Sequence, residues 1–328
     1  EDALSETQLD NINQYLINKY NLSIIDTDLE VNYKLDETSG TTALDANNYM
    51  NGTLENMAGT EWTQGIDGNA LEFNGTNQRI DISGALPFEP ESYAYSTWIK
   101  ADSVNSEGGE LFNINGDIGM RVLASGDVYA YMSTAGTGTW ESALYDNYKV
   151  LDGYWHHILV SFDGSANELT LTVDGHSGTG VSTSALVYDE DDLTAYIGDH
   201  SDGLDSSYIG LIDDTRLYSR SINSTDIQQI IADAQVSFWN PETLVGETDE
   251  SGSWTTNKVP DTNDLLIFQN TNAQVNFDGS LIFGGIEVRP TFTGRLNLSN
   301  ILSLTNDFTQ SENAHLTLAL NSLINPAN

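Results

Sequence analysis

The run Trp155-His156-His157-Ile158-Leu159-Val160-Ser161-Phe162-Asp163-Gly164 is followed closely by Leu169-Thr170-Leu171-Thr172-Val173-Asp174-Gly175. Both runs are rich in β-branched and aromatic residues, and each ends on Asp-Gly. Asp-Gly tolerates the positive φ that tight hairpin turns need, so the pair reads as two antiparallel strands. The pattern continues outward in both directions: Val31-Asn32-Tyr33-Lys34-Leu35, Leu71-Glu72-Phe73, Ile80-Asp81-Ile82, Tyr95-Ser96-Thr97-Trp98-Ile99, Val128-Tyr129-Ala130-Tyr131, Ala195-Tyr196-Ile197 and the stretch from Tyr208 to Tyr218. Asn74-Gly75 and Asp202-Gly203 supply further turns. Many short strands of period two with Asx-Gly turns predict an all-β, jelly-roll sandwich.

The ends read differently. Leu4, Leu9, Ile12, Leu16 and Ile17 form a helical stripe, and Ser5 with Gln8 suits a capping box. Residues 222–230 (INSTDIQQI) repeat the pattern of residues 4–12 (LSETQLDNI), so residues 1–24 read as the closing helix of a preceding repeat. The predicted divisions are 1–24, a sandwich over 25–235, and a β-rich segment over 236–328. The chain starts at Glu1 without an apolar leader, which reads as a fragment or a processed chain.

Composition narrows the function. The 328 residues hold 49 acids against 11 bases, a formal charge of −38, and no cysteine. Such a surface repels phosphate backbones and anionic lipid, so nucleic acid and membrane surfaces are excluded as partners. No apolar run is long enough to insert into a membrane. Lack of thiols removes disulfides, thiolate metal sites and thiol catalysis. The acids stand singly in Gly, Ser and Asn-rich turns, as solvated loops do, and turn aspartates also offer oxygen ligands to calcium.

Seven segments occur in an order that resembles a laminin G-like, concanavalin A-type jelly roll. They are Tyr33–Gly40, Asn51-Gly52-Thr53-Leu54, Gly68–Gly75, Tyr95–Lys100, Trp155–Ile158, Leu171–Gly175 and Ile209–Arg220. After residue 236 the chain is similar to segments of bacterial surface adhesins that lead into a right-handed β-solenoid. Trp254-Thr255-Thr256-Asn257-Lys258-Val259-Pro260-Asp261 opens that part, and pairs such as Leu265–Phe268 and Ala273–Phe277 follow. A small β-sandwich is the competing reading of this segment. The resemblance to the first family implies a structural calcium joining the first strand region to the last strand. The matching positions are Asp36, the Gly40 carbonyl, Asp45, and Asp213 or Asp214.

The catalytic motifs are missing. Glycosidases of the resembled class place carboxylates as Glu-x-Asp-x-x-Glu on one strand, and that spacing does not occur here. The acidic run Asp189-Glu190-Asp191-Asp192 alternates between faces and reads as a loop. There is no nucleophile elbow and no His-Glu-x-x-His. His156 and His157 read as buried, satisfied side chains. Sugar binding pairs a flat aromatic face with hydrogen-bonding side chains, and the loop candidates are Trp140, Tyr145, Asp199, His200 and Asp202. The expectation is a non-catalytic adhesion or structural module, not an enzyme. It would sit outside the cell, on a bacterial surface or a virion fibre, stabilised by calcium. A cell-surface or matrix glycan, neighbouring repeats of the parent chain and a homo-oligomer are its expected partners. The alternative is a carbohydrate-binding accessory domain of a secreted polysaccharide-degrading enzyme.

Overall fold

The computed structural model describes residues 27–83, 89–114, 116–134, 139–188, 194–200, 206–239, 245–247, 253–255, 260, 263–269, 274–277, 281–298, 302–304, 308–310 and 324–326. The expected N-terminal helix and the run 189–192 lie outside these residues.

Two sheets form the sandwich. The nine-stranded sheet runs β14 (His176–Ser177), β13 (Glu168–Val173), β12 (Trp155–Asp163), β7 (Tyr93–Lys100), β17 (Ile209–Tyr218), β5 (Asn69–Asn74), β4 (Trp62–Gln64). β1 (Leu29–Tyr33) also pairs with β17, and β15 (Val181–Ser182) with β13. The eight-stranded sheet runs β11 (Trp140–Tyr145), β10 (Val128–Ser133), β9 (Ile118–Val122), β8 (Gly109–Ile114), β16 (Ala195–Ile197), β6 (Arg79–Asp81), β3 (Gly52–Glu55), β2 (Thr42–Ala43). Every pairing between these strands is antiparallel. The opening hairpin is β12 and β13, in register from Ile158 with Val173 to Asp163 with Glu168.

Period-two alternation puts one set of side chains between the sheets. Tyr93, Tyr95 and Ile99 of β7 meet Phe112, Met120, Val128 and Ala130 of the other sheet in one core. Tyr95 and Phe112 stack at 4.1 Å between ring centroids. β7 shows no polar face, however, and is buried from Tyr93 to Ile99. Its second face, with Ala94 and Trp98, is covered by a helix and by the chain after residue 235. A strand buried on both sides reads as a continuous apolar run.

That helix is α1 (Ser224–Asp233), the second copy of the repeat noted in the sequence. Asn223 caps it by accepting from the backbone of Thr225 and Asp226, and Asp226 returns a bond to the Asn223 backbone. Ile227, Ile230 and Ile231 are its buried stripe and pack against Trp98, Leu159 and Tyr218.

Among the described residues, ten strands lie beyond it. β18 (Val236–Phe238), β20 (Leu265–Phe268), β23 (Gly285–Val288) and β26 (Phe308–Gln310) form one sheet. β19 (Val245–Glu247), β21 (Gln274–Phe277) and β24 (Arg295–Leu298) form a second, and β22 (Leu281–Phe283), β25 (Leu302–Leu304) and β27 (Ile324–Pro326) a third. All these pairings are parallel, and partners in the later strands lie 20 to 22 residues apart, from Leu265 with Gly285 to Ile286 with Phe308. Trp239, Trp254, Phe268, Phe277 and Phe292 share its core.

A polar network fixes this segment to the sandwich. Asp174, fully buried in the turn after β13, accepts from His156 Nδ1 at 2.7 Å, from the His157 backbone at 2.9 Å and from Gln269 Nε2 at 2.7 Å. Arg289 donates to Gln269 Oε1, to the Trp155 carbonyl and to Glu287. Burial alone would raise the Asp174 carboxyl, but His156, Arg289 and Gln269 outweigh it and hold the group at about 2.

Candidate functional site

The outward face of the eight-stranded sheet carries the features that suit ligand binding. β10 reads Val-Tyr-Ala-Tyr-Met-Ser, so Val128, Ala130 and Met132 enter the core while Tyr129 and Tyr131 face outward. Across the pairing, Tyr131 sits opposite Ser142 and Gly119, and Gly119 opposite Asn113. Asn113 in turn pairs with Tyr196, and Tyr196 with Asp81. This row crosses most of the sheet.

Gly119 explains how Tyr131 lies. A Cβ at position 119 would stand 2.2 Å from the Tyr131 hydroxyl and 2.7 Å from Glu110 Oε1. The ring therefore lies down across β9, over the space that glycine leaves. Its hydroxyl donates to Glu110 Oε1 at 2.5 Å and accepts from Asn113 Nδ2 at 2.9 Å. Glu110 is fully buried, and its second oxygen meets Arg121 Nε at 2.9 Å. The Arg121 guanidinium is 5.2 Å from the Tyr131 ring centroid. Burial and the adjacent Glu110 carboxylate push the Tyr131 phenol well above its usual range, so it stays a neutral donor.

Three rings surround this anchored tyrosine. Trp140 meets it edge-on at 5.7 Å, Tyr129 stacks at 6.1 Å, and His200 lies at 6.2 Å. Trp140 is 47% exposed, whereas Tyr131 is 7% exposed. Tyr131 is thus the base and Trp140 the accessible platform, with exposed Leu144 farther along the same face of β11. At the other end of the row Arg79 lies 4.1 Å over Tyr196 and bonds Glu55 and Asp199, while Ser207 donates to Asp199.

Of the glycan candidates, Trp140 and His200 converge on Tyr131, and Asp199 belongs to the same face. Tyr145 does not: it is not a loop residue but the end of β11, 1% exposed in the core, because period two turns it inward beside Ala143. Asp202 lies outside the described residues. The sequence reading passed over Glu110, Asn113, Gly119 and Arg121. They stand in β8 and β9, where Gly109-Glu110-Leu111-Phe112-Asn113-Ile114 breaks alternation at a bulge between Glu110 and Phe112. The paired outward tyrosines of β10 were the usable signal.

The residues expected to hold calcium do not fit a ligand set. The Gly40 carbonyl accepts from Trp62 Nε1 at 2.9 Å. Asp45 accepts backbone N–H bonds from Asn32, Asn47, Tyr49 and Met50, a loop-organising role. Asp36 accepts from the Asn69 backbone at 2.9 Å. Asp214 already has cations, Lys34 Nζ at 2.9 Å and Arg216 Nη2 at 3.0 Å. Asp213 accepts from the backbone of Ile66 and Asp214 at 2.9 and 2.7 Å, and burial pushes its carboxyl up to about 8. N–H dipoles aimed at a carboxylate present their positive ends where a cation would stand. Among the described residues no three acidic or imidazole side chains form a group that could hold a metal ion.

A cavity of about 210 Å³ lies on the outer face of the nine-stranded sheet, between β12, β13 and the start of α1. Ser161, Thr170, Thr172, Ser177 and Asp163 line it, without an aromatic wall. Among the described residues no helix is long and apolar enough to cross a membrane.

Comparison with known proteins agrees with the architecture. The binding domain of botulinum neurotoxin serotype D superposes with a TM-score of 0.50 at 15% identity, over 65% of this chain and 53% of that one. The binding domain of Paraclostridial Mosquitocidal Protein 1 gives 0.47 at 14% identity, over 64% and 53%. This chain thus spans about half the length of these two domains. Domain 4 of AbnA, a GH43 extracellular arabinanase from Geobacillus stearothermophilus, solved with arabinotriose, gives 0.49 at 18% identity, over 62% of this chain and 98% of that one. No curated protein matches the sequence. Residues 74–228 match the family model of the concanavalin A-like lectin/glucanases superfamily, and the jelly roll these residues build is of that fold.

Proposed function

We propose that the sandwich is a non-catalytic glycan-binding module and that the outward face of its eight-stranded sheet is the binding surface. The observation that carries this reading is the exposed Trp140 ring, braced on a Tyr131 whose hydroxyl is fixed by Glu110 and Asn113. An aromatic face packs on the C–H face of a sugar ring, and a platform held in place before binding loses little entropy on contact. His200 supplies a polar group beside it, while the buried Asn113 and Asp199 are bonded within the scaffold that holds the face. Glu110 is engaged by Tyr131 and Arg121, which makes it part of the scaffold and not a proton donor to substrate.

The setting we propose is an extracellular surface or virion-fibre protein with a sandwich over 25–235 and a following module over 236–328. The parallel strands and their 20-to-22-residue return support reading that module as coils of a β-solenoid, since each coil buries its apolar face on the next. The junction at Trp98, Phe238 and Arg289 would make the pair a stiff arm that presents the glycan face.

The test is a polysaccharide and oligosaccharide array with the chain and its Trp140→Ala variant. Trp140 is half exposed, so the variant is expected to keep the wild-type circular dichroism and melting temperature. Binding that weakens by about tenfold or more in the variant supports the reading. Unchanged binding in Trp140→Ala refutes this face as the site.

A further inference from the structure

We infer that this face takes neutral glycans and rejects anionic ones, an inference that rests on the glycan-binding reading above. The strands of the eight-stranded sheet carry two bases, Arg79 and Arg121. Each is already neutralised. Arg121 Nε meets Glu110 Oε2 at 2.9 Å, and Arg79 meets Glu55 at 2.6 Å and Asp199 at 3.7 Å. Asp81 adds a further acid to the row through Tyr196. The face therefore carries more carboxylates than guanidinium groups, within a chain of formal charge −38.

Anionic sugars need an unpaired cation to replace the hydration they lose. A sulfate, uronate or sialate carboxylate here would meet acids first and gain no partner. What the face does offer suits uncharged rings: the Trp140 and Tyr129 rings for C–H faces, and the His200 imidazole for hydroxyls. Arg121 is turned into a support, since its guanidinium lies against the Tyr131 ring instead of pointing free into solvent.

Glu110 is the specificity-determining residue in this arrangement. It is fully buried and lies between the one phenol and the one guanidinium that organise the platform. Glu110→Gln keeps the side-chain shape and can still accept from Tyr131, but it leaves the Arg121 charge uncompensated. The variant should therefore gain affinity for anionic sugars, an outcome that misfolding cannot produce.

The experiment compares wild type, Trp140→Ala and Glu110→Gln on neutral polysaccharides (arabinan, xylan, galactan, β-glucan) and anionic ones (heparin, pectate, sialylated oligosaccharides), at low and high salt. Wild type should bind neutral glycans alone, with affinity constant within about twofold across the salt range because no ion pair forms. Glu110→Gln should bind anionic glycans at least about tenfold more tightly than wild type, and this gain should fall with salt. If Glu110→Gln does not fold, the salt series on wild type still decides the question. Wild-type binding to an anionic glycan that is salt-sensitive and needs Trp140 overturns the inference while leaving the glycan-binding reading intact. No binding to any glycan overturns both.

Discussion

His157 sets an acid limit on the fold. It lies in β12 on the face turned toward α1, fully buried, with Nε2 2.8 Å from Ser96 Oγ and its ring 5.2 Å from that of Trp98. Its Nδ1 has no hydrogen-bond partner among the described residues. Burial is the main cause of a pKa lowered from 6.5 to about 4. The folded chain thus holds this proton less tightly than the unfolded chain, so stability falls as the pH drops through the window from about 6.5 to 4. Linkage over that interval removes about 2 kcal/mol by about pH 5 and about 3 kcal/mol by about pH 4. Neighbouring His156 is shifted the other way. Burial opposes its charge, but Asp174 and Asp152 raise it, so its contribution is complete below the unfolded value and fades as the pH rises through the folded one. Asp174, held at about 2, loses its contribution only below the ordinary aspartate range. Replacing His157 by Gln keeps a hydrogen-bonding partner for Ser96 and removes the proton. Urea unfolding followed by tryptophan fluorescence, at several pH values from neutral downward, should show wild type losing about 2 kcal/mol more than His157→Gln by about pH 5. Parallel pH profiles for the two proteins would refute the reasoning.

Three further outcomes follow from other contacts. Gly119→Ala should displace Tyr131 and break its bonds to Glu110 and Asn113, costing about 1–3 kcal/mol in urea unfolding and abolishing array binding. Arg289→Met leaves Glu287, Gln269 and the Trp155 carbonyl without their donor, so about 3–5 kcal/mol should be lost. Limited proteolysis should then cut between the sandwich and the following strands, and an unchanged digestion pattern would contradict the rigid junction. Addition of a calcium chelator should leave the melting temperature unchanged, because Lys34 and Arg216 already pair with Asp214; a drop of several degrees would restore the calcium expectation.

The fold was legible where one face of a strand meets solvent or a turn enforces the register. The hairpin of β12 and β13 could be read from alternation and two Asp-Gly turns, and α1 from its isoleucine stripe. β11 was not, because Trp140-Glu141-Ser142-Ala143-Leu144-Tyr145 exposes its two largest apolar side chains and buries a tyrosine. Such an inversion is what the proposed binding face would require of the strand, with apolar groups left outside for a ligand. The same reversal hid the site residues of β8 and β9. Glu110 and Asn113 look like breaks in an apolar run until the bulge turns both to one face. The positions expected to hold calcium were legible as carboxylates, but their partners were not: backbone N–H groups bond Asp36, Asp45 and Asp213, and Lys34 pairs with Asp214.

The two outer faces of the sandwich therefore divide the work. The outward side of the nine-stranded sheet is largely covered by α1, Phe238 and the Asp174–Arg289 network, which leave one polar cavity between β12, β13 and α1. The outward side of the eight-stranded sheet keeps Trp140 and Leu144 accessible and pairs both of its guanidinium groups with carboxylates. A stiff junction on one side matters to binding on the other. A platform fixed in a rigid arm samples fewer orientations, so several such domains in a row could engage a repeating polysaccharide together. The Arg289→Met variant offers a way to separate these roles. Its single-domain affinity for a short oligosaccharide should match wild type, because Arg289 follows β23 and meets the nine-stranded sheet at Trp155, whereas Trp140 stands on the eight-stranded sheet. A loss of short-ligand affinity in Arg289→Met would show that the two faces are energetically coupled and not independent.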